Sequence, residues 1–167
     1  MDLAMFKLLA RYNIWATYKL NQQLRQLTEQ QFNAECGLYF KSISGTLNHL
    51  LVGEHYLWFA RFCSQPTPAL ALNSIIEADK DQLLNQLEQR AQHWPDFLAT
   101  VDVKKFKQQL TYTTSKGQII SLPYAATLLH VFNHATHHRG QITAALSGMG
   151  YDCPELDLVY MLVEENT

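Results

Sequence analysis

Four of the seven histidines in this chain fall in the run His130-Val131-Phe132-Asn133-His134-Ala135-Thr136-His137-His138-Arg139-Gly140-Gln141. The surrounding residues read as a helix from Tyr124 to about Leu146. On a helix, residues four apart lie about 40° apart around the axis and roughly 6 Å apart along it. His134 and His138 therefore project from one face on successive turns, where two imidazoles can share a metal ion through one ring nitrogen each. His130, one turn before His134, offers a second i, i+4 pair, and spacing alone does not choose between them. A third ligand has to come from another helix. His49, in Gly45-Thr46-Leu47-Asn48-His49-Leu50-Leu51, is the best candidate. A lone helical histidine is more often a surface residue, or a core residue held by one hydrogen bond; the clustering is what points to chelation. Ala135 follows His134, so the His-Glu-x-x-His pattern of a metalloprotease helix is missing, which argues against that chemistry.

Composition narrows the function classes. At 167 residues the chain fits one domain, 1–167, long enough to bury a real core. A hydrophobic fraction of 47% and a charged fraction of 17% are those of a soluble globular protein. Net charge is −2, and the densest basic cluster is only Lys104-Lys105-Phe106-Lys107, so a nucleic-acid footprint is not expected. No signal peptide is expected from Met1-Asp2-Leu3-Ala4-Met5-Phe6-Lys7, and no apolar run is long enough to span a bilayer. Cys36, Cys63 and Cys153 are odd in number and widely spaced, as suits free, inert thiols in a reducing compartment. The expected location is the cytoplasm.

The elements that must position the histidines are mostly helical. Asp2 to Leu27 carries Leu3, Phe6, Leu9, Ala10, Ile14, Tyr18, Leu24 and Leu27 at helical spacing, uninterrupted by Gly or Pro. Ser42 or Ser44 can cap a second helix running to about Phe62. A third runs from about Ile76 to Leu98, with Asp79, Lys80, Asp81, Glu88 and Arg90 on its wet face and Pro95 as a kink or early stop. Leu110-Thr111-Tyr112-Thr113-Thr114 and Gln118-Ile119-Ile120 are β-prone around a turn-like Ser115-Lys116-Gly117, which predicts a small hairpin or extended crossover. Ser121 then caps the fourth long helix, with Pro123 in its first turn and Gly148-Met149-Gly150 ending it. Pro154 opens a short final helix through about Glu164. Four long helices predict an all-α four-helix bundle, whose core is a regular place for metal sites. Its long connections require at least one crossover.

Three segments resemble a known family: Tyr12-Asn13-Ile14-Trp15-Ala16, Leu47-Asn48-His49-Leu50 and Asn133-His134-Ala135-Thr136-His137-His138-Arg139-Gly140-Gln141. With their spacing they span most of the chain and resemble the DinB/YfiT-like family, whose members are read as metal-dependent enzymes. The last segment is the specific one. The resemblance implies an up-down-down-up bundle, often dimeric. It also implies a divalent metal held by one His of the second helix and two His four apart on the fourth, here His49, His134 and His138. Some members are thiol S-transferases that use low-molecular-weight thiols, and others look like hydrolases.

Three neutral imidazoles would leave coordination positions for water or substrate, as catalytic rather than structural sites do. Such a metal can bring the pKa of water or a thiol close to neutral. Nitrogen-only ligation suits Zn, Ni, Co or Fe alike. Protons should compete with the metal below about pH 6. Asn48, Asn133 and Gln141 are candidate partners for the ligands' second nitrogens. His137, about 100° around the helix from His138, is expected to pack. Trp15 and Trp58 are expected in the core, Tyr12 at the pocket, and Glu54 solvated or paired on its helix. Arg139 is read as meeting an anionic substrate or pairing with an acid, and no catalytic residue is assigned. Two function classes result. One is an enzyme in which metal-activated water or thiol attacks a small electrophile. The other is a non-catalytic metal-binding or stress-response bundle whose site stabilises or senses. A homodimer is expected from surplus apolar residues on the first and fourth helices and on the final helix, 155–164.

Overall fold

In the computed structural model, which describes residues 2–114 and 117–167, α1 spans Leu3–Leu24. Asp2 caps it by accepting from the Met5 N–H at 3.0 Å. A single turn, α2 (Glu29–Asn33), follows with a full capping box between Thr28 and Gln31. The next long helix, α3, starts at Ile43 with Ser42 as its cap and continues unbroken to Phe62. Its middle, Leu51–Trp58, is π-helical, and the Phe59 N–H donates to the Glu54 carbonyl five residues back.

The expected third helix is two: α4 (Lys80–Ala91) and α5 (His93–Thr100). The break falls at Gln92, so Pro95 lies in the first turn of α5, where its missing N–H costs nothing. Lys80 belongs to the buried set rather than to the wet face. Its Nζ donates to the Leu27 carbonyl at 2.6 Å, just past the C-terminus of α1, where a cation is favoured. A 3₁₀ turn (Val103–Lys107) leads into a hairpin of β1 (Gln109–Thr113) and β2 (Ile119–Pro123), with Leu110 opposite Leu122. Of the turn between the strands, Ser115 and Lys116 lie outside the described residues. Helix α6 (Tyr124–Gly148) starts after Pro123 without a side-chain cap. Ser121, the expected cap, is instead in β2, its hydroxyl 3.0 Å from that of Thr111. The last helix, α7 (Leu158–Glu165), starts later than expected and docks on α1 through Arg11–Glu165 and Lys19–Glu164 ion pairs.

The four-helix bundle consists of α1, α3, α4–α5 and α6. Both α1 and α3 pack against α4 and α6. The segments between these helices, residues 25–42, 63–79 and 101–123, are correspondingly long. The core has two apolar halves: one around Leu24, Phe32, Leu47, Leu83 and Leu146, the other around Phe6, Phe62, Trp94, Leu128 and Phe132. Between them, Asn13 on α1 and Glu54 on α3 place polar groups at the waist. Among the described residues no helix is long and apolar enough to cross a membrane.

Candidate metal centre

The i, i+4 spacing on α6 puts His134 and His138 on adjoining turns, and α3 brings His49 to meet them. The Nε2 atom of His134 lies 3.0 Å from Nε2 of His49 and 3.1 Å from Nε2 of His138. Two nitrogens each about 2.0–2.1 Å from one ion, at a coordination angle of roughly 90–110°, are about 3.0–3.4 Å apart. One ligand atom from each of the three residues lies within 4.8 Å of the others. His130, the alternative partner, is not in this group; its ring centroid is 5.4 Å from that of His134, and it faces Trp58.

The protons on these rings decide what the cluster can do. His49 Nδ1 is 2.8 Å from the Leu72 carbonyl, which only accepts, so Nδ1 carries the proton and Nε2 holds a lone pair. His138 Nδ1 likewise donates to Gln141 Oε1 at 2.8 Å. Neutral His134 has one proton for both its nitrogens. If it sits on Nε2, it serves one neighbour only; if on Nδ1, three lone pairs face one another. A divalent cation satisfies all three at once, so the donor set fits such an ion. His134 Nδ1 is buried and has no hydrogen-bond partner among the described residues.

Electrostatics agree. Burial, then the neighbouring His138 and His49 rings, pushes His134 down to about 3. Burial first, and His49 and His137 after it, brings His138 to about 4 against the support of Gln141. His49 is lowered by burial despite its Leu72 bond. All three rings are thus held toward the neutral form that metal binding needs.

The surroundings correct several expectations. Gln141 supports a ligand ring as anticipated, but Asn48 does not. Its amide accepts from the N–H groups of Ile76 and Glu77 and donates to the carbonyls of Ser44 and Glu77, tying the 72–77 segment to α3. Asn133 is exposed. The carbonyl of Leu72 was missed because nothing in a sequence marks which loop carbonyl will reach a helix. Phe40 was missed too. It stacks on His49 with centroids 3.9 Å apart and planes 17° from parallel. Gly45 permits this, since a Cβ there would lie 2.1 Å from the Phe40 carbonyl oxygen. His137 is exposed rather than packed, though its ring stays near that of His138.

Glu54 is not solvated, and its neighbour within the helix, His55 with Nε2 at 3.7 Å, is a neutral ring rather than a countercharge. Glu54 is 2% exposed and accepts from the Asn13 amide, whose oxygen accepts from Arg139, itself 3% exposed. Burial pushes the Glu54 carboxyl up to about 7, against the pull of Arg139 and Asn13. Arg139 thus serves the core, not a substrate. Beside it, buried His55 is driven down to about 3 by burial and by Arg90, and is neutral. Tyr12 donates to the Leu156 carbonyl at 2.7 Å, and Trp15 donates to Glu164 at the surface.

The imidazoles of His49 and His134 open onto a cleft of about 1110 Å³, walled by α3, the 67–72 loop, the hairpin and the start of α6. Trp58, expected in the core, is half-buried and lines this cleft with His130, Arg61 and Tyr112. Gly53 sits opposite the histidines; a Cβ there would lie 3.9 Å from His134 Cε1 and 4.0 Å from His49 Cε1. Cys36, Cys63 and Cys153 are free, and none joins the cluster.

The chain is 28% identical over 147 residues to Protein DinB of Bacillus subtilis, covering 86% of this chain and 85% of that protein. Its fold matches the solved structure of YfiT from Bacillus subtilis with a TM-score of 0.61 and 23% identity, over 86% of this chain and 87% of that one. YfiT is described as a probable metal-dependent hydrolase with an unusual four-helix bundle topology. The DinB family model matches residues 2–166, and the chain belongs to the DinB family.

Proposed function

We propose that His49, His134 and His138 hold one divalent metal ion and that the chain is a metal-dependent enzyme acting on a small molecule bound in the adjoining cleft. One observation carries this reading: three imidazole Nε2 atoms, two of them fixed as lone-pair donors by their Nδ1 bonds, converge, and two of the rings, His49 and His134, line an open cleft. Such an ion, when bound, supplies Lewis acidity and lowers the pKa of a water or thiol placed against it. The chain does the rest. Leu72 and Gln141 orient two of the rings, Phe40 shields His49, and Gly53 leaves room for a substrate before the rings. No fourth His, Cys, Asp or Glu joins the group among the described residues. That favours catalysis over a structural or sensing role, because structural sites close their coordination sphere with protein ligands. The description of YfiT as a probable metal-dependent hydrolase supports hydrolysis; transfer to a low-molecular-weight thiol is the other reaction the cleft would suit. The expected homodimer would use the outer face of α7, where Val159, Tyr160 and Val163 are exposed.

Metal analysis of protein purified without a chelating column tests the reading, followed by ester, amide and thiol-conjugation screens. About one divalent ion per chain, lost in His134→Ala together with any activity, is the expected result. A parent protein that takes up no divalent ion at neutral pH overturns it.

A further inference from the structure

Away from the histidines, the same cleft holds a cation with nothing to pair with. The guanidinium of Arg61 lies 4.5 Å from the ring centroid of Trp58 and 4.2 Å from that of Tyr112, packed into the corner that these two edge-to-face rings form. Its Nε is buried without a hydrogen-bond partner among the described residues, and no carboxylate forms an ion pair with it there. The cleft lining includes Arg61 and Lys105 and not one Asp or Glu. Elsewhere the arginines are engaged: Arg11 and Arg25 with Glu165 and Glu88, Arg90 with the Tyr56 hydroxyl, Arg139 with Asn13.

Rings link this cation to the histidine cluster. His134 adjoins His130 at 5.4 Å between centroids, His130 adjoins Trp58 at 5.6 Å, and Trp58 adjoins Tyr112 at 5.3 Å. An arginine stays charged at any working pH, and its planar fork matches a carboxylate or phosphate in two parallel hydrogen bonds. Packing against the two aromatic rings restrains the guanidinium, so less side-chain entropy is lost when an anion docks on its free N–H groups.

We infer that Arg61, braced against Trp58 and Tyr112, binds an anionic group of the substrate, a carboxylate or a phosphate, while the reacting atom lies at the histidine cluster. The inference rests on reading this cleft as the active site. It narrows the substrate class to small acids whose charged group and reacting bond are separated by the Trp58–His130 wall. Lys105 adds long-range attraction from the rim.

The test titrates succinate and inorganic phosphate, separately, into the metal-loaded parent, Arg61→Gln, Arg61→Lys and His134→Ala, with metal content measured on each. Binding is read by calorimetry and by the indole N–H resonance of Trp58. The parent is expected to bind at least one anion with movement of the Trp58 signal. Arg61→Gln should weaken it roughly tenfold or more with metal content unchanged, and Arg61→Lys by less. His134→Ala should keep the anion while losing the metal. The preferred probe tells carboxylate from phosphate. Equal affinity in parent and Arg61→Gln overturns the inference, as does a parent that binds neither anion. Loss of anion in His134→Ala with none in Arg61→Gln overturns it as well, by assigning the anion to the metal. Should Arg61→Gln fail to fold, the parent's Trp58 resonance decides alone: if it does not move, the inference falls. Metal content reports separately on the metal reading.

Discussion

Asn13, Glu54 and Arg139 lie as deep in the bundle as His49 and His138, and α3 and α6 contribute to both groups. In the first, donors face acceptors: Arg139 gives to Asn13 and Thr136, and Asn13 gives to Glu54, with the Arg139 Nε alone in the group left without a partner among the described residues. In the second, like faces like: two Nε2 atoms fixed as lone-pair bearers meet the Nε2 of His134 beside an open cleft, and a single His134 proton cannot satisfy both. The first group is closed on itself and belongs to the fold. The second is incomplete without a cation, so it belongs to function. Burial alone does not separate the two kinds of polar cluster; complementarity of donors and acceptors does.

The comparison breaks most plainly at His134. His134→Ala should abolish metal binding at neutral pH and leave the helical circular dichroism intact, since the two apolar core halves supply the stability. His137→Ala, at an exposed position, should keep its metal. Equal loss in both would mean the ligand set is wrong. Removing Arg139 should do the reverse. Arg139→Met strands Glu54 beside a severed partner and should cost about 3–5 kcal/mol in urea unfolding, with metal content per folded molecule retained. The cost should shrink as pH falls, because the Glu54 carboxyl, already pushed up to about 7, then takes a proton and stops being a charge.

Asn48→Ala sharpens the boundary between fold and site. It removes the clamp on the 72–77 segment, and so loosens the Leu72 carbonyl that orients His49. A loss of about 1–3 kcal/mol in stability is expected, together with roughly tenfold weaker metal binding by competition with a chelator. A stability loss with no change in metal affinity would detach Leu72 from the site.

A last comparison is the pH dependence of the metal-free protein. His55 and His134 are pushed down to about 3 and His138 to about 4 in the folded state, against about 6.5 unfolded. Between those values the unfolded chain holds the extra protons, so stability falls as pH drops from 6.5 toward 4. Glu54 has the opposite sign. Raised to about 7, it stabilises fully below about 4.5 and loses that contribution as pH rises through 7. Three groups outweigh one, so urea midpoints should drop on acidification below 6.5. Midpoints that stay flat to pH 4.5 would count against neutral buried histidines.

The sequence carried the long helices, the Ser42 cap, the hairpin and the i, i+4 pair, because each depends on local periodicity or turn chemistry. It left His130 and His138 tied as partners of His134, since both share the stripe; only the approach of α3 separates them. Glu54 read as a wet residue because a lone Glu in an apolar helix gives no sign that Asn13 and Arg139 will meet it. Lys80 misread for the same reason, its carbonyl partners lying at the far end of α1. The expected Ser121 cap lost to pairing of Ser121 with Thr111 across the hairpin, a non-local competitor that no capping rule anticipates. Trp58 read as core, and Arg61 gave no signal until β1 brought Tyr112 against it.

The π-helical stretch in α3 acts on phase. In an unbroken α-helix the twelve steps from His49 to Arg61 would leave the two side chains about 120° apart around the axis, on different faces. Winding Leu51–Trp58 with five-residue rather than four-residue hydrogen bonds turns each residue through a smaller angle and takes back much of that offset. Both residues then look into one cleft. The helix works as a vernier: the wider winding absorbs one extra residue, and with one residue deleted and ordinary winding restored the eleven remaining steps would leave the two side chains only about 20° apart, still in step.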